Sequence, residues 1–138
     1  MTQLFEQEIK NISYTTGWSF KEAEILELEQ IVSSLAPFPL LVVGSGGSLS
    51  VAHFVARLHE QITGQMAKPI TPLELIFSPV NPDKYAVLFL TASGNNKDIL
   101  NGFQIAIQRE FVFITVICAR LESKIVQKAK GYSYVKIF

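Results

Sequence analysis

Short apolar runs that end in polar turns recur along this 138-residue chain, and they constrain its fold more than any other feature. Residues Leu40–Val43 are apolar throughout and are followed at once by Gly44, and residues 85–90 form a similar run before Thr91. A run of this length that is apolar at every position is typical of a strand buried on both faces of a parallel sheet. Because a helical pattern follows each run, the sequence predicts two strand–turn–helix units.

A helix is predicted before the first strand. Ser19 and Glu22 have the spacing of a capping box, in which each side chain bonds the backbone N–H of the other residue, and Pro37 ends the helical pattern. The apolar residues at helical spacing, which we expect to pack against the rest of the domain, are Ile25, Leu28, Val32 and Leu35.

The rest of the chain continues to alternate between strand and helix patterns. Residues 49–62 form a helical pattern closed by Gly64, and 122–130 form one closed by Gly131. Strands are expected at 69–77, 111–119 and 132–138, the first of them at a sheet edge because Pro72 has no N–H. This alternation predicts an α/β fold, a three-layer αβα sandwich with a five-stranded, mainly parallel, doubly wound sheet of the flavodoxin type.

The expected domain organisation is an N-terminal helical segment, residues 1–39, that packs on a domain formed by residues 40–138. The final strand pattern ends at Phe138 with no helix after it to cover the sheet. We therefore expect that a longer protein has been cut at its carboxyl end, or that another element completes the sheet.

Charge and composition exclude several classes of protein. Twelve basic and twelve acidic residues cancel, so no net charge draws the chain to nucleic acid or to an anionic membrane. The sequence has no apolar stretch of about 18 residues and no signal peptide, which favours a cytoplasmic protein with a small molecule or a protein as its partner. Cys118 is the single cysteine and lies in an apolar run, so it is expected to be a core residue.

Polar side chains and glycines follow the two central strands. In an open parallel sheet, ligands bind at the carboxyl ends of the strands, where both of these loops are predicted to lie. Glycines there allow the backbone N–H groups to approach a ligand, and a helix amino terminus carries partial positive charge that favours an oxyanion such as phosphate. The candidate binding residues are Ser45, Gly46, Gly47, Ser48, Thr91, Ser93, Gly94, Asn95 and Asn96.

Other interpretations of these loops remain open. Glycine, serine and asparagine between a strand and a helix are also ordinary turn and cap residues. A dinucleotide site is less well supported, because Leu49 occupies the third glycine position of the G-x-G-x-x-G pattern. A phosphate-binding loop of the NTPase type is excluded, because no Gly-Lys-Ser/Thr follows Gly44 at the required spacing.

The two loops, Gly-Ser-Gly-Gly-Ser at residues 44–48 and Thr-Ala-Ser-Gly-Asn-Asn at 91–96, resemble the signature loops of the sugar-isomerase (SIS) family. The first loop and the Ser-Gly-Asn of the second are most similar to the branch that contains the sedoheptulose-7-phosphate isomerases. The resemblance implies a five-stranded parallel sheet, a homodimer or a second SIS domain, and a phosphorylated sugar or amino sugar as ligand. It also implies that Ser48, Thr91, Ser93 and Asn96 hold the phosphate. Thr91 and Asn96 depart from the usual residues of the second loop but keep a hydrogen-bonding side chain.

An isomerase needs a base near the sugar in addition to a phosphate site. The candidates are His53, His59 and Glu60, all on the helix after the first loop. A single histidine in an apolar helix is more often a packed, hydrogen-bonded residue than a catalyst. The resemblance implies a His and a Glu four residues apart on this helix, but Arg57 stands four residues after His53, so that pair is not reproduced. No metal site and no cofactor are expected.

The sequence leaves two main functions open. One is the phosphosugar-binding domain of an aldose–ketose sugar-phosphate isomerase, and the other is a phosphosugar sensor that does not catalyse a reaction. A nucleotide-binding module is a third alternative. The apolar surfaces predicted to serve a homodimer are at Phe5, Ile9 and Ile12 and at Ile25, Leu28 and Val32.

Overall fold

The computed structural model of this protein describes residues 6, 7, 10 and 22–138. Ser19 of the predicted capping box and the predicted apolar positions Phe5, Ile9 and Ile12 lie outside the described residues. The helices are α1 (Glu22–Leu35), α2 (Gly47–Thr63), α3 (Pro72–Phe77), α4 (Lys97–Gln108) and α5 (Lys124–Ala129). The strands are β1 (Leu40–Val43), β2 (Ala67–Ile70), β3 (Ala86–Thr91), β4 (Phe113–Cys118) and β5 (Val135–Ile137), and a short 3₁₀ turn spans Pro82–Lys84.

The five strands form one sheet in the order β2-β1-β3-β4-β5, and every neighbouring pair is parallel. Helices cover both faces, so the predicted α/β sandwich with a doubly wound parallel sheet is confirmed. The buried residues of α1 and α2 pack on one face, and those of α3, α4 and α5 pack on the other. None of the helices in the described part of the chain is both long and apolar enough to cross a membrane.

Strand β3 shows how the sheet builds two cores. Successive side chains of a strand point to opposite faces. Leu88 belongs to the core under α1 and α2, whereas Val87 and Phe89 belong to the core under α3, α4 and α5. Phe89 meets Phe103 of α4 edge to face at 5.7 Å between ring centroids. Because both faces are buried, β3 is apolar at every position from Ala86 to Leu90 and does not alternate with polar residues.

The strand predicted over residues 69–77 is partly wrong. Strand β2 spans Ala67–Ile70 and is at the edge of the sheet as expected, but α3 begins at Pro72. Thr71 caps this helix, since its side chain accepts the Glu74 N–H at 3.2 Å and Glu74 accepts the Thr71 N–H at 2.7 Å. Proline is favoured at the first position of a helix because its N–H would have no partner there. The capping box therefore decides the structure of this segment.

Two details of the predicted helices also need correction. On α1 the buried residues are Ile31 and Leu35, whereas Val32 is 53% exposed. Gly64 closes α2 in the left-handed conformation as predicted, with φ of 71°. Gly131 does not do the same for α5, because this helix ends at Ala129 and the φ of Gly131 is not positive. Cys118 is buried, as expected for a core residue.

The Thr71 cap makes a testable contribution to stability. Hydrogen bonds from the backbone and side chain of Thr71, with nearby Lys68, lower the pKa of the Glu74 carboxyl. A lowered pKa means that this carboxylate stabilises the fold above its ordinary pKa and that the effect is lost as the pH falls through the lowered value. Thr71→Ala should cost about 1 kcal/mol of the free energy of unfolding at neutral pH.

Urea denaturation at a series of pH values measures this effect. The difference in the free energy of unfolding between the wild-type chain and Glu74→Gln should shrink toward acidic pH. A difference that is the same from neutral to acidic pH would show that the Glu74 charge plays no part in the cap.

Candidate functional site

The two polar loops lie side by side at the carboxyl ends of the strands. Strand β1 pairs with β3, and the register places Val43 beside Phe89, near the ends of both strands. Helix α2 leaves β1 toward one face of the sheet, whereas α4 leaves β3 toward the other. This divergence between adjacent strands is the topological switch point, where α/β sheets form a crevice. The crevice is a cavity of about 430 Å³.

The first loop brings the amino terminus of α2 close to the end of β1. Gly44 is buried, and its backbone lies so near the first turn of α2 that a Cβ atom would come within 2.5 Å of the Ser48 carbonyl oxygen. Gly46 has φ of 57°, a conformation that glycine adopts without strain. No side chain caps α2 at Gly46. The positive end of a 17-residue helix is therefore open to a ligand in the crevice.

The second loop is held by its own side-chain oxygens. The Thr91 hydroxyl accepts the Gly94 N–H at 3.1 Å, and the Ser93 hydroxyl accepts the Asn95 N–H at 3.4 Å. Asn96 caps α4, since its Oδ1 accepts the Asp98 N–H at 2.8 Å. A hydroxyl that accepts one bond still has its proton to donate, and the Asn96 amide still has its NH₂ group. The loop is thus fixed in a form that leaves hydrogen-bond donors for a ligand.

The other side of the second loop is anchored to α5. The Asn95 Oδ1 accepts the Lys124 N–H at 3.0 Å, and the Gly94 carbonyl accepts the Ile125 N–H at 3.0 Å. Gly94 has φ of 62° and packs directly against the side chains of Ser123 and Cys118. Gly94 and Asn95 therefore hold the second loop in place against the start of α5.

The cavity brings together six of the nine predicted binding residues, Ser45, Gly47, Ser48, Thr91, Ser93 and Asn96. Gly46, Gly94 and Asn95 do not line it. Three apolar residues that were not among the predicted binding residues complete the lining, Val51, Ala92 and Ile99. Val51 and Ile99 follow the loops by one helical turn, which is the signal that could have identified them.

The predicted catalytic candidates do not lie in the cavity. His53 is exposed on α2. The Glu60 carboxylate accepts the Ala67 N–H at 3.3 Å. Ala67 is the first residue of β2, so Glu60 lies near the amino ends of the strands, opposite to the ends that carry the cavity. Glu60 also pairs with Arg57 at 3.5 Å. His59 is buried, and its Nε2 lies 3.0 Å from the Phe38 carbonyl oxygen, so it is a packed and hydrogen-bonded histidine.

The nine residues that line the cavity include no titratable side chain in the described part of the chain. Lys97 follows Asn96 but is exposed and does not line the cavity. The electrostatic character of the cavity therefore comes from hydroxyl and amide dipoles and from the amino termini of α2 and α4. Such a site favours an anion without supplying a base or an acid.

A second cavity, which the sequence analysis did not identify, lies beside the first. Its volume is about 490 Å³, and Asn95, Arg120, Leu121, Glu122 and Ser123 line it. Asn95 belongs to the loop after β3, and the other four belong to the segment after β4. Both cavities therefore lie at the carboxyl ends of the strands, one on each side of the second loop.

Comparison with solved structures identifies proteins of the same fold. A protein of Salmonella typhimurium LT2 that is assigned to sugar binding has a TM-score of 0.74 and 14% identity, over 97% of this chain and 41% of that one. Tagatose-6-phosphate ketose/aldose isomerase from Escherichia coli has a TM-score of 0.65 and 18% identity, over 89% and 35%. The Vibrio vulnificus NanR protein, complexed with ManNAc-6P, has a TM-score of 0.60 and 16% identity, over 80% and 41%. The chain shares their fold.

The chain spans only part of these proteins, about a third of the length of the E. coli isomerase and two fifths of the other two. No model of a protein family and no curated protein sequence matches it.

The close approach at Gly44 gives a prediction with a matched control. Gly44→Ala should lower the free energy of unfolding by about 1–3 kcal/mol, because the new Cβ would collide with the backbone of the first turn of α2. Gly47→Ala should leave stability unchanged or slightly higher, since a Cβ there meets nothing within 4 Å. Urea denaturation of both variants measures the difference. An equal loss in both, or none in Gly44→Ala, would contradict this account of the loop.

Proposed function

We propose that this chain is a phosphosugar-binding domain of the SIS type, and that the phosphate of its ligand binds between the two loops. The observation that carries the proposal is the position of the loops. Two sets of hydrogen-bond donors and two helix amino termini converge on one cavity at the switch point of a parallel sheet. Nucleotide binding lacks a comparable observation, since neither nucleotide-binding glycine pattern occurs in the sequence.

The hydrogen-bonding state of the second loop supports an anionic ligand. Thr91, Ser93 and Asn96 each use a side-chain oxygen to accept a backbone N–H. The groups that remain free to bond a ligand are therefore mainly O–H and N–H donors. Phosphate oxygens accept hydrogen bonds and can satisfy these donors. The uncapped amino terminus of α2 adds backbone N–H groups and a favourable dipole from the other side of the cavity.

The size and apolar part of the cavity support a small organic phosphate. A volume of about 430 Å³ falls within the range of small-molecule sites and exceeds what inorganic phosphate fills. Val51 and Ile99 line it with apolar atoms that suit the carbon face of a sugar. The shared fold with an isomerase of tagatose 6-phosphate and with a protein complexed with ManNAc-6P supports a sugar phosphate or an amino-sugar phosphate.

The lining of the cavity favours binding without catalysis by the described residues. Aldose–ketose isomerisation needs a base and often an acid beside the sugar. The cavity lining offers only hydroxyl, amide and apolar side chains in the described part of the chain. We therefore propose the phosphosugar-binding role for this chain itself, and we propose that any isomerase activity uses a base from another segment or from a partner.

The resemblance of the first loop to the sedoheptulose-7-phosphate isomerases makes that sugar phosphate one candidate ligand. The absence of a glutamate four residues after His53 counts against the same chemistry.

We also propose that the protein acts in the cytoplasm, which fits its single, buried cysteine, and that it works as a homodimer or beside a second SIS domain.

A ligand panel tests the binding site. The thermal midpoint of the chain should rise with one of a set of aldose, ketose and amino-sugar phosphates, including sedoheptulose 7-phosphate, and not with NAD or ATP. At a 100-fold excess over the dissociation constant, the ligand should add about 2.7 kcal/mol of stability. For a domain of this size that corresponds to several degrees.

The Ser48→Ala, Ser93→Ala double variant should lose this shift because it removes one hydroxyl from each side of the cavity. Ser133→Ala is the matched control, since Ser133 is exposed in the turn before β5. A shift with NAD or ATP alone, or a sugar-phosphate shift that survives in the double variant, would show that the cavity is not a phosphosugar site.

Proton exchange separates binding from catalysis. When the stabilising sugar phosphate is incubated with the chain in D₂O, NMR should show no deuterium at the carbon next to the carbonyl, since no base lines the cavity. Catalysed exchange that is lost in His53→Ala would contradict this expectation and identify His53 as the base.

A further inference from the structure

The second cavity, lined by Asn95 and residues 120–123, lies where α/β sheets bind ligands. It is formed between the second loop and the segment after β4, at the ends of two paired strands, where Thr91 is the register partner of Cys118. Its volume of about 490 Å³ is within the range of small-molecule sites. Because ligands of parallel sheets bind at the carboxyl ends of the strands, both the position and the size suit a ligand.

Hydrogen bonds hold the wall of this cavity. Ser123 is 3% exposed, its N–H donates to the Arg120 carbonyl oxygen at 3.1 Å, and its Oγ lies 3.3 Å from the Cys118 Sγ. The Asn95 Oδ1 accepts the Lys124 N–H at 3.0 Å. This bond orients the Asn95 amide and leaves its NH₂ group as a donor for a ligand.

The lining of the second cavity carries two opposite charges. Arg120 and Glu122 both line it and are both exposed. They do not pair with each other, since the single ion pair within the described part of the chain joins Arg57 to Glu60. Leu121 lies between them in sequence, lines the same cavity and is 64% exposed. The cavity therefore offers a cation, an anion and an apolar surface, whereas no charged side chain lines the first cavity.

We propose that the second cavity binds a small zwitterion, a molecule with one anionic group and one ammonium group. A guanidinium donates two parallel hydrogen bonds to a carboxylate, so Arg120 binds the anionic group, with the Asn95 NH₂ group as a further donor. Glu122 accepts hydrogen bonds from the ammonium group. An aliphatic α-amino acid fits all of these features, because its side chain also contacts Leu121.

An amino-sugar phosphate carries the same two charges, as a phosphate and an ammonium group, and is the second source of this chemistry. The second cavity shares no lining residue with the first. The zwitterion site is therefore separate from the proposed phosphosugar site, and each can be removed by substitution without changing the lining of the other.

Isothermal titration calorimetry of the full chain with L-leucine tests the zwitterion site. Binding should saturate at one molecule per chain. Arg120→Gln and Glu122→Gln should each weaken it by about tenfold or more, because each removes a hydrogen bond to a charged group. Lys130→Gln and Glu27→Gln are the matched controls, since both residues are exposed and neither lines the cavity, and these variants should bind like the wild-type chain.

Two analogues of leucine test the role of each charge. N-acetyl-L-leucine has no ammonium group, so its weaker binding should depend on Arg120 and not on Glu122. L-leucinamide has no carboxylate and should show the reverse dependence. An analogue whose binding depends on the wrong charge would contradict the assigned orientation of the ligand and overturn the proposal.

Glucosamine 6-phosphate, titrated into the Ser48→Ala, Ser93→Ala variant, tests the amino-sugar source without the first cavity. Saturable binding of either L-leucine or glucosamine 6-phosphate, weakened by both Arg120→Gln and Glu122→Gln, supports the zwitterion site and identifies its source. No saturable binding of either molecule, or binding that one of these two substitutions leaves unchanged, would overturn the proposal.

Discussion

The parallel pairing of β1 with β3 is the constraint on which the rest of the site depends. These strands are far apart in sequence but adjacent in the sheet, and the helices that follow them leave toward opposite faces. A crevice must therefore open between the two loops. The pairing is stabilised by burial of both faces of the strands, so the position of the site follows from the same apolar contacts that hold the fold together.

Hydrogen bonds to the backbone of the second loop determine which side-chain groups in this crevice remain free to bind a ligand. The oxygens of Thr91, Ser93 and Asn96 are already engaged by N–H groups of their own loop. The loop is fixed by these bonds, and its hydroxyl protons and the Asn96 NH₂ group remain available as donors, which fits the proposed anion site without a lysine or arginine. The hydroxyl and amide groups that line the cavity neither remove nor supply a proton readily near neutral pH.

Helix α2 connects three properties of the molecule. Its first turn meets Gly44 just after β1, its residues Ala52 and Ala56 are buried against the sheet, and its residue Val51 lines the cavity.

The sequence alone determined the fold class and most of the cavity lining. Continuous apolar runs, glycines and polar loop residues can be recognised within a short segment, without knowing which segments come into contact. It mispredicted residues 71–77, where the Thr71–Glu74 cap prevails over strand propensity, and the buried stripe of α1, because apolar spacing permits more than one face. Only the tertiary structure showed that Asn95 ties the second loop to α5, that Glu60 bonds the start of β2, and that Val51 and Ile99 line the cavity. Each of these depends on which elements become neighbours, and that is set by long-range packing.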